Sequence, residues 1–218
     1  MQNIKNERGV GLVEVLVAVL LLAVAVLGFS ALQMRAVSAT DESLVRTKAL
    51  TLTRNLSEIM RTYPEAYVTG SGASFTKAAA SDTGAKPTIQ AVIQGTGVSS
   101  ATVDGALIQV NSASDICLSN EIKTVGGKKV VKQSCTLNQL AARDALIVKS
   151  AASAEDININ VVLCPGTDQQ NIRKQMCVIT AWNDTKALLS DDDNDTNACA
   201  SAAGIYKIGN HCLISEAY

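Results

Sequence analysis

Apolar positions along this chain change rhythm three times. From Val10 to about Met34 the run is apolar on all faces, and Glu14 is its only charged residue. About 20 such residues span the ~30 Å hydrocarbon core of a bilayer. Farther on, Val45, Ala49, Leu52, Leu56, Ile59 and Tyr63 recur at spacings of four, three, four, three and four. That spacing marks one face of a helix, with Arg46, Lys48, Arg54, Glu58 and Arg61 largely outside it. Pro64 ends the pattern, so one helix is predicted from Val10 to Tyr63.

Beyond Pro64 the rhythm shortens. Gly70 to Gly97 is rich in Gly, Ala, Ser and Thr and reads as a loop with weak strands, such as Thr88 to Gln94. Val103 to Val110 reads as a strand. Gly126-Gly127 between Ile122–Val125 and Lys128–Val131 predicts a hairpin. Cys135 to about Ser150 predicts a helix carried by Leu137, Leu140, Ala141, Leu146 and Ile147. Asp156 to Cys164 alternates through Ile157, Ile159 and Val161 as a strand should. Cys177 to Trp182 is expected to pair with it, with Pro165-Gly166 opening the connection and Cys164 and Cys177 stapling the pair. Trp182 reads as a packing residue of the core or an edge. The expected class is α+β, a long helix packed on an antiparallel sheet.

Composition adds limits. Net charge is −1 in 218 residues, which gives no case for nucleic-acid binding through phosphate neutralisation. Lys5 and Arg8 precede the apolar run, and no other basic residue appears until Arg35, so the leader is expected to stay cytoplasmic and the bulk to be exported. A cleaved secretory signal would have a shorter apolar region. Cys117, Cys135, Cys164, Cys177, Cys199 and Cys212 all lie on the exported side. An even count there favours disulfides over metal, and the single histidine, His211, weakens any zinc site. Sequence alone cannot choose among the pairings. Sequential pairing is the expectation, each bridge closing a short loop.

Asp191, Asp193 and Asp195 alternate like the first ligands of a calcium loop, but Thr196 and Ala202 stand where an EF-hand needs Gly and Glu. The preferred reading is a solvated turn, with Thr196 or Asn197 capping a short helix through Ala203; a looser calcium site remains the alternative. No nucleophile–base pair and no phosphate-binding glycine loop occurs, so the chain reads as a non-enzyme without a cofactor.

A lone carboxylate in an apolar span costs roughly 2.5–3.5 kcal/mol at mid-membrane and is normally paired. Cleavage after Gly9 would create an ammonium on Val10, one helical turn from Glu14. Gly9 followed by Val10-Gly11-Leu12-Val13-Glu14-Val15-Leu16 resembles the class III prepilin leader of type IV pilins and type II secretion pseudopilins. The resemblance implies cleavage between Gly9 and Val10 by an inner-membrane prepilin peptidase, N-methylation of Val10, and a role for Glu14 in packing the helix into a filament. Val10 departs from the commoner phenylalanine. Ala31 stands where many major pilins carry a kinking proline, which points away from a major subunit.

Leu27-Gly28-Phe29-Ser30-Ala31-Leu32-Gln33, the stretch from Ala49 to Arg61, Cys135 to Asp144 and Cys177 to Asp184 are similar to PilV-type minor pilins. That likeness implies a subunit that helps initiate pilus assembly and supports twitching motility, adhesion or DNA uptake. Its implied partners are other minor pilins, the major pilin, the prepilin peptidase and the inner membrane. The expected organisation is leader 1–9, membrane or filament-core helix 10–34, amphipathic helix 35–64 and a periplasmic domain 65–218. The chain would first be a single-pass inner-membrane protein and then part of an extracellular pilus. The alternatives are a type II secretion pseudopilin and a membrane-anchored periplasmic binding module.

Overall fold

The computed structural model describes residues 11–110, 117, 122–131, 135–166, 175–192 and 194–217. The chain divides into two compact units between Arg46 and Thr47, and the division falls within the first helix, α1 (Leu12–Thr62). In the first unit every residue from Gly11 to Leu44 is exposed. Two hydroxyls there bond inside the helix: Ser30 Oγ donates to the Val26 carbonyl at 2.9 Å and Thr40 Oγ1 to that of Ala36 at 2.8 Å.

In the second unit α1 buries Ala49, Leu52, Thr53, Leu56, Ser57 and Met60. The apolar stripe expected from the sequence is therefore real at Ala49, Leu52 and Leu56, while Ile59 and Tyr63 are half-buried. Thr53 and Ser57 complete the face. Each hydroxyl donates to the carbonyl four residues back, at 2.8 Å, so burial leaves neither unsatisfied. The helix ends at Thr62, just before Pro64, as proline restricts the residue preceding it.

Five short strands follow in one sheet ordered β3-β1-β2-β4-β5: β1 (Tyr67–Ser71), β2 (Ser74–Lys77), β3 (Lys86–Pro87), β4 (Ser100–Val103) and β5 (Ala106–Gln109). All neighbours are antiparallel except β2 and β4. β6 (Ile122–Val125) and β7 (Lys128–Val131) form the predicted hairpin as a separate ribbon. The second main sheet is antiparallel, β12-β9-β8, from β8 (Asn158–Leu163), β9 (Met176–Ala181) and β12 (Cys212–Glu216). β10 (Lys186–Leu189) and β11 (Ala198–Ala200) form a parallel pair. The class is α+β.

Three expectations are corrected. Thr88–Gln94 is a helix, α2, and not a strand. Pro87 presets its entry, and Ile89, Val92 and Ile93 are buried at helical spacing. A short apolar run does not reveal its period by eye. The single strand expected over Val103–Val110 is the β4–β5 hairpin. Asp104 and Gly105 turn it with φ of 52° and 74°, the Asp-Gly signature of a two-residue hairpin loop. The short helix expected through Ala203 is instead β11, bonded along β10.

α3 (Leu137–Ala154) starts two residues later than expected and runs past Ser150. Thr136 caps it: Gln139 N donates to Thr136 Oγ1 at 3.2 Å, and Thr136 N donates back to Gln139 Oε1 at 3.0 Å. Of its predicted stripe, Ala141 and Leu146 are buried, whereas Leu137 and Ile147 are exposed. The disulfides join Cys117 to Cys135, Cys164 to Cys177 and Cys199 to Cys212, each cysteine with its neighbour in sequence. Closing loops of this size stabilises by about 3 kcal/mol each in the chain-entropy model. Cys177 sits in β9 and Cys164 just past β8, so that bridge ties the adjacent strands.

Leu56 is fully buried. Leu56→Ala should cost about 2–5 kcal/mol, read as a lower denaturant midpoint of the full chain in detergent micelles. Leu27→Ala, in the exposed first unit, should leave that midpoint in place. Equal losses for both would contradict a core seated on the second half of α1.

Candidate assembly site

From Leu12 to Leu32 the first unit presents apolar surface broken only by Glu14 and Ser30. Leu12 is 80% exposed, Val13 73% and Leu27 71%, and no residue from Leu12 to Leu32 is buried. α1 is long and apolar enough to cross a membrane. Glu14 lies in its first turn, with its own N–H donating to the Gly11 carbonyl at 2.9 Å. Its carboxylate is exposed among Val15, Ala18, Val19 and Leu22. The expected cleavage bond between Gly9 and Val10, and the methylation site on Val10, lie outside the described residues.

In the second unit α1 is held by polar ties as well as apolar burial. Thr53 Oγ1 lies 3.3 Å from Thr180 Oγ1 on β9. Arg61 Nε donates to the Ala217 carbonyl at 2.9 Å, just past β12. Lys48 pairs with Glu155 at the end of α3. Tyr63 donates its phenol to Asp144 Oδ2 on α3 at 2.8 Å. Burial, then the bond to Asp144 and its charge, push the Tyr63 pKa up to about 12 against partial relief from Arg143. Apolar spacing could not find these ties, because Lys48 and Arg61 lie off the apolar stripe and their partners are remote in sequence.

Lys149, also unflagged by the sequence, closes the C-terminus of α2. Its ammonium donates to the carbonyls of Val92 at 3.0 Å and Gly95 at 2.6 Å, and burial lowers its pKa. At the other end of α3, Asp104 Oδ2 accepts from Thr136 Oγ1 at 3.0 Å and Asn138 Nδ2 at 3.4 Å, which fixes the β4–β5 turn against the helix start.

In the acidic segment the described carboxylates take protein partners. Asp191 Oδ1 accepts from Ala202 N at 2.8 Å, while Asp195 Oδ1 pairs with Lys186 Nζ at 3.0 Å. Asp193 lies outside the described residues. Lys207 Nζ donates to the main-chain carbonyls of Asp192 and Asp195, at 3.0 Å each. Asn194 N and Nδ2 both donate to Asp192 Oδ1, lowering the Asp192 pKa. Among the described residues no three His, Cys, Asp or Glu side chains group as a metal would require. Trp182 is buried, 6.3 Å from the His211 ring and tilted to it, with its main-chain N–H on the His211 carbonyl.

An unpartnered apolar helix leading into a disulfide-tied α+β unit is the arrangement of a prepilin-type structural subunit. A model of the prokaryotic N-terminal methylation motif matches residues 4–30, and one described as type IV pilin Tt1218, the Tt1218-like family, matches residues 31–146, more than half of the chain. The chain belongs to this type IV pilin family, whose members are structural. No curated protein and no solved structure matches it.

Tyr63 supplies a pH test. With its folded pKa near 12 against an ordinary 10, the bond to Asp144 contributes fully below pH 10. It is lost as pH rises from 10 to about 12, because the unfolded chain ionises first. Solvent screening keeps the effect below about 1 kcal/mol. Tyr63→Phe should flatten the stability profile over that alkaline window and leave the neutral value within about 1 kcal/mol. An unchanged profile would remove Tyr63 from the account.

Proposed function

We propose that the chain is a PilV-type minor pilin of a type IV pilus. After cleavage between Gly9 and Val10 and methylation of Val10, residues 10–34 serve first as inner-membrane anchor and then as filament core. Residues 35–64 carry the amphipathic half, and residues 65–218 face the periplasm and later the outside. The subunit joins other minor pilins and the major pilin and helps initiate assembly, in support of twitching motility, adhesion or DNA uptake.

One observation carries this reading: a single carboxylate, Glu14, on the stretch of α1 from Leu12 to Met34, which is exposed and apolar on every side. Burying one Leu or Val side chain contributes about 1.5–3 kcal/mol, so two or three of them offset the cost of the carboxylate. Membrane insertion therefore does not need Glu14 paired. Assembly does, because a helix smooth on all sides sets no register, whereas a carboxylate and a neighbour's terminal ammonium fix one. The absent helix-kinking proline at Ala31 supports a minor over a major subunit.

Glu14→Ala should still insert and lose its leader but should fail to enter sheared filaments. Normal incorporation of that variant would sink the pairing mechanism.

A further inference from the structure

Asn-x-Ser/Thr, with x not proline, is the acceptor sequence for N-linked glycans on exported surfaces. It occurs three times: Asn55-Leu56-Ser57, Asn183-Asp184-Thr185 and Asn194-Asp195-Thr196. A transferase must reach both the asparagine amide and the hydroxyl two residues on, and the structure separates the three on that requirement. Ser57 is buried in α1 and donates to the Thr53 carbonyl. Thr185 is buried and accepts from His211 N at 2.8 Å. Asn194 and Thr196 are both exposed.

The turn also presents its amide. Asn194 Nδ2 donates to Asp192 Oδ1 at 2.9 Å, and Thr196 Oγ1 donates to Asn197 Oδ1 at 3.3 Å. Both partners are themselves exposed, so a transferase can replace either bond. Beneath them the main chain is fixed: Asp195 N donates to the Asp192 carbonyl at 3.1 Å, and Lys207 grips that same carbonyl and the one on Asp195.

We infer that Asn194 is an N-glycosylation site, taking a glycan from a polyprenyl-diphosphate-linked donor through a membrane oligosaccharyltransferase. The new bond joins Asn194 Nδ2 to the anomeric carbon. The anomeric C–O bond to the diphosphate breaks with its electron pair, the lipid diphosphate leaves, and Nδ2 gives up one proton to the enzyme. The inference rests on export of the second unit and not on its entry into a filament.

The test is peptide mass spectrometry on the full chain isolated from the membranes of its own cells. The tryptic peptide from Ala187 to Lys207, still linked from Cys199 to Cys212, should carry sugar residues. Asn194→Gln and Thr196→Ala should each abolish the addition, while Thr196→Ser and Asn183→Gln should keep it. A bare peptide with Cys199 and Cys212 oxidised would overturn the glycan site alone, since the disulfide reports export. Free thiols at those positions would overturn export and the site with it. An addition that survives Asn194→Gln would place the sugar elsewhere and also overturn the assignment.

Discussion

Apolar surface that its own chain leaves uncovered is the constraint behind every other feature. Leucine and valine side chains from Leu12 to Leu32 stand more than two-fifths exposed on all sides of α1. Soluble proteins rarely leave contiguous apolar area of that extent in water. Lipid or the helices of other subunits must cover it. The proposed filament subunit would use both covers in turn, since neither asks more of these residues than being apolar.

From Thr47 onward the demand on α1 is different. One face must bury against a folded unit while the other meets water. Ala49, Leu52, Leu56 and Met60 do the first, and Thr53 and Ser57 widen the buried face without orphaning a hydroxyl. α2 and α3 pack against strands of both main sheets, and Leu56, Val68, Val103, Ile108, Leu146, Val161 and Ile179 are fully buried in the second unit. Aromatic residues make up only 3% of the chain. Sequential disulfides add covalent ties, two of them beside or within the β12-β9-β8 sheet. Lysines contribute as fixed cations. Lys149 holds the end of α2, and Lys207 holds the acidic turn.

Much of this could be read from residues alone, for definable reasons. The long helix, its stop before Pro64, the β6–β7 hairpin and the β8–β9 pair rest on period and turn chemistry, which are local. Glu14 stood out because charge on an apolar helix has no local excuse. Most of what escaped was set by distant packing. α2 is nearly all buried, so its sequence lacks a polar face to mark the helical period. Asp104-Gly105 is a strong turn signal that was lost inside an apolar run. Ala198–Ala200 became a strand because β10 and the Cys199 bridge hold it there, which no capping rule registers. The ties of Arg61 and Lys48 depend on partners more than a hundred residues away.

We propose that the apolar helix is a processed filament element and not an ordinary anchor. The most direct measurement is the intact mass of the chain from isolated membranes and from sheared filaments. Loss of Met1 to Gly9 together with one added methyl group, found in the filament fraction, is the predicted result. An unprocessed chain confined to membranes would contradict the account.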